Sequence, residues 1–194
     1  MNKRTLFVGI ASFSLIALVI LAASLFARPV RFNGTVYAEP YPPAPDFELA
    51  SAGGGNVALN GMRGKLVLLF FGYTNCPDEC PTTMAKIRLA YDTLGEQSAD
   101  IRVLFVTTDP ARDTASALTE FLSRFNASFV GLTGSAEELQ KVWDSYGIYV
   151  EEGGEVHSIR VYVVDRDGNL RLTFPYDMDS EAMVSDLKIL LSEK

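Results

Sequence analysis

Histidine occurs once in this chain, at position 157, and cysteine twice, at 76 and 80. A zinc site normally takes four ligands, and no fourth cysteine or histidine exists to complete one. An aspartate would be needed, so zinc is disfavoured rather than excluded. A lipid-modified cysteine near the N-terminus is not expected, because neither cysteine lies there. Basic residues are also in short supply. Lys and Arg number 17 against 24 Asp and Glu, a formal net charge of -7, so no nucleic-acid partner is expected. The acidity is spread along the chain, which reads as a solvated surface able to steer basic partners. There is no internal repeat, and no low-complexity tract beyond one proline-rich segment.

Charge is absent altogether from residues 5–27, a 23-residue apolar run long enough to cross a bilayer as one helix. Lys3 and Arg4 precede it, which puts the N-terminus in the cytoplasm. Arg28 and Arg31 on the other flank weaken that bias. A cleaved signal peptide is the competing reading. Its apolar region would be unusually long, and Val36-Tyr37-Ala38, the better cleavage site, is far from it. Both readings export the remainder of the chain into an oxidising compartment, where free cysteine pairs tend to become disulfides. The expected organisation is a cytoplasmic N-terminus and transmembrane anchor at 1–28, a stiff proline-rich linker at 29–42 and one folded domain at 43–194. The localisation expected is a single-pass protein of the cell membrane with an extracytoplasmic C-terminal domain.

Within the domain, 47–49 and 57–59 alternate around Gly53-Gly54-Gly55, the pattern of a short hairpin. Residues 66–71, Leu-Val-Leu-Leu-Phe-Phe, do not alternate. A run apolar on both faces belongs in the centre of a sheet covered on each side by helices. Met84, Ile87, Tyr91 and Leu94 recur at helical spacing, with Pro81 at the opening and Gly95 at the end. Buried strands are expected next at 101–107 and, shorter, at 129–133. Leu118, Phe121, Leu122 and Phe125 mark a helix capped by Asp113 or Thr114. Ser135 and Glu138 form a capping box ahead of Leu139, Val142, Trp143 and Tyr146. Residues 160–164 and 170–174 pair through Asp167-Gly168, and Asp179 or Ser180 caps a last helix. Strands alternating with helices predict an α/β layered fold.

Both cysteines sit where the 65–71 strand meets the next helix, the end at which open α/β sheets place their sites. A helix N-terminus favours the thiolate, which is both nucleophile and metal ligand. A plain structural disulfide is the alternative, although so short a loop stabilises little. Asp78 and Glu79, between the cysteines, are solvated turn residues or raise the thiols' pKa by like charge. His157 precedes a strand expected beside the cysteine strand, so its imidazole is a candidate third ligand. Two thiolates and an imidazole suit copper, especially Cu(I). Asp109, Arg112 and Asp113 form either a capping and charge-pairing loop or a rim that orients a partner or the metal loop. Tyr73, Phe71 and Trp143 read as core or site-wall aromatics.

The stretch Gly72-Tyr73-Thr74-Asn75-Cys76-Pro77-Asp78-Glu79-Cys80-Pro81 resembles the signature of the Sco/SenC family of copper-binding assembly factors. Thr107-Thr108-Asp109-Pro110-Ala111-Arg112-Asp113-Thr114 is similar to a second block of that family. Val156-His157-Ser158, with an apolar strand and Asp167-Gly168 after it, is similar to a third. Val156 stands where family members often carry an aspartate. The resemblance runs from about Pro43 onward. It implies a thioredoxin-like central sheet flanked by helices, preceded by a transmembrane helix. It also implies copper, as Cu(I) or Cu(II), held by Cys76, Cys80 and His157. Its implied client is the copper-bearing subunit of cytochrome c oxidase, whose dinuclear site it would help assemble, with other copper carriers or thiol reductants as further partners. On that reading the protein is a metallochaperone rather than an enzyme. The runner-up is a membrane-anchored thiol–disulfide oxidoreductase that reduces the oxidase's copper-ligand cysteines. A cysteine-dependent peroxidase is weaker, since no peroxide-activating arginine lies near the pair in sequence.

Overall fold

A computed structural model describes residues 13, 15–19, 31–151, 153, 154 and 159–193. The chain divides into two compact units, Met1–Arg31 and Phe32–Lys194. In the first, Phe13 and residues 15–19 are helical with exposed side chains. Among the described residues no helix is long and apolar enough to cross a membrane. The expected anchor, 5–27, falls mostly outside the described residues.

The second unit is built on one sheet of eight strands. These are β1 (Thr35–Val36), β2 (Glu48–Ser51), β3 (Asn56–Ala58), β4 (Leu66–Gly72), β5 (Ile101–Thr107), β6 (Val130–Thr133), β7 (Arg160–Val164) and β8 (Leu170–Pro175). Their order across the sheet is β1-β8-β7-β4-β5-β6-β2-β3. The strands β4, β5 and β6 run parallel, while β7 and β8 return antiparallel on the other side of β4. Every residue of β4 is buried, as its unbroken apolar run requires of a central strand.

Four helices cover the sheet: α1 (Glu79–Leu94), α2 (Ala115–Ser123), α3 (Ala136–Ser145) and α4 (Ser180–Ser192). Alternate residues of β4 serve opposite faces. Leu66, Leu68 and Phe70 pack with Met84 and Ile87 of α1, Leu118 of α2 and Leu187 of α4. Val67, Leu69 and Phe71 pack with Leu139, Val142 and Trp143 of α3. The caps follow the sequence pattern. Thr114 accepts from Ala117 N–H, Ser135 and Glu138 complete a reciprocal box, and Asp179 accepts from Ala182 N–H. The helix α1 opens two residues earlier than expected, at Glu79. Pro81 is therefore its third residue, still within the first turn, where a missing N–H costs nothing. That shift puts Cys80 inside the helix.

The segment expected as a stand-off linker is not one from Phe32 onward. Thr35 and Val36 pair with Thr173 and Leu172 as the sheet's edge strand. Tyr37 N–H bonds to Arg171 C=O, Leu170 N–H to Pro42 C=O and Ala44 N–H to Gly168 C=O. Proline composition argues against helix, but an extended edge strand tolerates proline on its unpaired side. Asn33 and Gly34 are tied further, to Asp186 of α4. Its carboxylate accepts from Asn33 N–H at 2.9 Å, the Asn33 amide at 2.8 Å and Gly34 N–H at 2.8 Å.

Candidate metal centre

The site begins where β4 ends. Thr108 N–H bonds to Gly72 C=O at 2.8 Å, extending the β4–β5 ladder by one bond. Gly72 has no room for a side chain: a Cβ there would stand 2.8 Å from Cys80 Sγ. The chain then turns through 73–78, closed by Cys76 N–H to Tyr73 C=O at 3.3 Å, and enters α1. Both cysteines are free thiols. Cys80, second in the helix, is fully buried, and Cys76 is half-buried. Cys80 N–H, one of the donors a helix N-terminus leaves unpaired, points at Cys76 Sγ at 3.3 Å. The sulfurs thus share one turn of chain, one reachable from solvent and one shielded.

Burial corrects the expectation that the helix N-terminus favours both thiolates. Withdrawal of the Cys80 thiol from water pushes its pKa far up, since a buried anion loses its hydration. A backbone hydrogen bond at Tyr73 works the other way, and is outweighed. Cys76 and Glu79 add to the rise, Glu79 least of all. Like charge from the residue between the cysteines therefore acts in the expected direction, but burial dominates. At neutral pH Cys80 is a protonated thiol until something replaces its proton, and a soft metal ion is the kind of group that does so.

The loop after β5 reaches two other segments. Asp113, almost fully buried, does not cap α2, a role Thr114 fills. Its carboxylate instead accepts from Thr74 N–H at 3.1 Å, Thr74 Oγ1 at 2.5 Å and Thr107 Oγ1 at 2.6 Å. Asp113 therefore pins the cysteine turn two residues before Cys76. Thr108 Oγ1 donates to Gly154 C=O at 2.6 Å. Arg112 pairs with Asp109 through Nε and donates to Gly153 C=O at 2.6 Å. Gly154 lies so close that a Cβ would stand 2.7 Å from Asp109 Cβ. Trp143 Nε1 donates to Thr107 C=O at 3.2 Å from the opposite face. Trp143, Phe71 and Tyr73 are all buried, as core or wall residues should be.

His157 lies outside the described residues, with Val156, Ser158, Glu152 and Glu155. The strand it precedes is where the sequence pattern put it. The β7 strand pairs antiparallel with β4, Val161 opposite Phe70, so β7 starts at the end of β4 that leads to Cys76. Ile159 and Cys76 pack against the same buried cluster, which contains Cys80. Among the described residues no group of three or more His, Cys, Asp or Glu gathers to hold a metal ion; the two thiols supply two donors. Sequence reasoning gave Thr74, Thr107, Gly72 and Gly154 no task of their own, although the first three lie inside the quoted motifs. The signal available for Asp113 was an acid beside a better N-cap, Thr114, which left it free for another task.

Residues 37–192 match the family model SCO1/SenC. A SCO2-like protein of Rickettsia conorii is 31% identical over 170 residues, covering 83% of each chain. The solved structure of Bradyrhizobium japonicum ScoI with copper bound is 32% identical, with a TM-score of 0.69, covering 76% of this chain and 99% of that one. Solution structures of apo Sco1 from Thermus thermophilus give a TM-score of 0.73 at 32% identity, covering 84% of this chain and 99% of theirs. With the family model spanning both cysteines, the β5–α2 loop and His157 in sequence, the chain belongs to the SCO1/SenC family.

Proposed function

We propose that this protein is a copper chaperone that carries copper on Cys76, Cys80 and His157 and helps assemble the dinuclear copper site of cytochrome c oxidase. The observation that carries the reading is the thiol pair itself: free, one turn apart, just past the C-terminal end of a buried strand. Copper is bound in the solved ScoI relative, and soft sulfur donors such as these two, one half-buried and one buried, suit it. An imidazole would complete the coordination that two sulfurs leave open. The solved BsSco relative is described as a member of the Sco family of cytochrome c oxidase assembly proteins, which supports the oxidase as client, and the copper-bearing subunit is the part of it proposed here. The 5–27 run anchors the protein in the cell membrane, with the domain on the extracytoplasmic side.

Copper titration of the full chain and its variants tests this. Cys76→Ser and Cys80→Ser abolish binding. His157→Ala weakens it strongly and changes the absorption spectrum, while the thiols keep their redox cycle. Unchanged copper affinity and oxidase assembly in His157→Ala would remove the histidine from the site. Membrane fractionation with N-terminal sequencing tests the anchor; a soluble mature chain beginning near Glu39 overturns it.

A second reading is favoured by the unequal exposure of the two sulfurs. A half-exposed Cys76 with a shielded Cys80 beside it is also the layout of a dithiol reductant, one sulfur attacking and the other resolving. The client's copper-ligand cysteines would be its substrate. His157→Ala separates the two, because a reductant tolerates that change and a carrier does not.

A further inference from the structure

We propose that the loop 108–113 is a clamp that holds the cysteine turn and the Gly153–Gly154 turn in one register, with Asp113, Thr108 and Arg112 as positioning residues for copper binding. The inference rests on the copper-chaperone reading and adds residues that touch neither sulfur.

An unbroken chain of hydrogen bonds supports it. Thr74 donates twice to Asp113, through N–H and Oγ1. Asp113 also accepts from Thr107 Oγ1, which in turn accepts from Asp109 N–H at 2.9 Å. Asp109 takes the Arg112 guanidinium, whose other end donates to Gly153 C=O. Thr108 reaches the next carbonyl, Gly154, directly. The loop is closed on itself by Asp113 N–H to Asp109 C=O at 2.9 Å. Six residues of chain thus grip two segments that lie 41 and 39 positions away from their partners.

The ordinary roles for these residues do not account for the arrangement. Thr114 already caps α2, and the Asp113 carboxylate points at the cysteine turn rather than the helix. An exposed ion pair contributes little, but here Asp109 is buried and Arg112 also holds a backbone carbonyl. Thr107, Thr108 and Asp113 are all almost fully buried, and buried polar networks with every member satisfied are rigid. Gly154 is shaped to the loop, with a positive φ of 83° and no space for a Cβ. Groups that orient the ligands of a metal site typically change metal affinity about ten- to hundredfold when lost.

The test uses the full chain with Asp113→Asn, Thr108→Val and the double variant, and reads two quantities. The first needs no metal: amide exchange at Gly154, whose N–H bonds to Glu151 C=O. Asp113→Asn is expected to accelerate it, although Asp113 does not touch that turn. The second is copper affinity, expected to fall about tenfold or more in each single variant. In the double variant it falls by less than the product of the two, because the clamp is already open. Ser135→Ala, a helix cap outside the clamp, is the control and leaves both readouts unchanged. Unaltered exchange at Gly154 in Asp113→Asn, or copper losses that simply multiply, overturns the clamp. A parent chain that binds no copper overturns the copper reading instead, while the exchange readout still decides the clamp. Should Asp113→Asn not fold, Thr74→Val removes one donor from the same carboxylate and takes its place in both measurements.

Discussion

Asp113 and Asp186 are both buried carboxylates that accept from a backbone N–H and a side chain of a segment far away in sequence. Asp113 holds Thr74, 39 positions upstream, in the turn that leads to Cys76. Asp186 holds Asn33 and Gly34, 153 and 152 positions upstream, beside the edge strand. Within two residues of each clasped segment stands a glycine that has no room for a methyl group. A Cβ at Gly72 would meet Cys80 Sγ at 2.8 Å, and one at Gly34 would meet Thr173 C=O at the same distance. One device thus serves two ends. The difference lies in what is clasped: the turn that leads to Cys76 in one case, an entry strand at the sheet's edge in the other. The comparison separates positioning from stability, because equal chemistry is applied to unequal cargo.

The largest expected effect falls on the edge clasp. Asp186→Ala removes the acceptor of two backbone N–H groups and an amide, and leaves a cavity in α4. The expected loss is about 2–4 kcal/mol of stability by urea denaturation, the scale for stranding buried donors. Copper titration and thiol redox titration of the surviving folded fraction stay as in the parent. A change in either would mean that the two clasps are coupled and the comparison is wrong.

How much of this was legible beforehand depends on the range of each interaction. The buried strands and the neighbourhood of 160–164 with 65–71 were readable because hydrophobic period and run length are local signals. The cap at Ser135 was readable for the same reason, and those of α2 and α4 to within a neighbouring pair, Asp113 or Thr114 and Asp179 or Ser180. The cysteines stood out because only two exist and a strand–helix junction frames them. The clasps were not readable. Nothing near Asp186 in the sequence points to Asn33, and a carboxylate's partners are chosen by tertiary packing. The proline-rich stretch misled because composition describes what a segment resists and not which edge it pairs with. The thiol's raised pKa was hidden likewise: the helix dipole is a local feature, whereas the burial that overrides it depends on Gly72 and Phe70 packing around Sγ.

The glycines sharpen the contrast at an intermediate magnitude. Gly34→Ala and Gly72→Ala each force a methyl into occupied space, expected to cost about 1–3 kcal/mol. At Gly34 the obstacle is a backbone carbonyl of β8, so β1 must draw away from its partner. Faster exchange of Tyr37 N–H, which bonds to Arg171 C=O, is the expected sign, with the thiols unaffected. At Gly72 the obstacle is the sulfur, with Phe70 and Phe105 close behind. There the expected sign is a shifted thiol redox potential and weakened copper binding, with Tyr37 exchange unaltered. Crossed outcomes would show that the edge strand and the cysteine turn are not independent.

The smallest effect belongs to a place that neither clasp touches, the start of α3. Ser135 Oγ accepts from Glu138 N–H at 3.2 Å, and Glu138 accepts from Ser135 N–H at 2.8 Å and from Ser135 Oγ at 2.7 Å. Removing the hydroxyl in Ser135→Ala is expected to cost about 1 kcal/mol. The pH dependence carries the diagnosis. Hydrogen bonds from Ser135, side chain first and backbone second, hold the Glu138 carboxyl below its ordinary pKa. A carboxyl depressed in the folded state contributes stability that is present above its unfolded pKa. That contribution is lost as pH falls through the folded value. Thermal melts between neutral and acid pH should therefore show the parent and Ser135→Ala converging as pH drops, since the variant has less of this term to lose. A gap that stays constant with pH would assign the cap's effect to the serine hydroxyl on the backbone alone. A shift in thiol potential from so remote a change would remove the distinction between stability and positioning on which the two aspartates were compared.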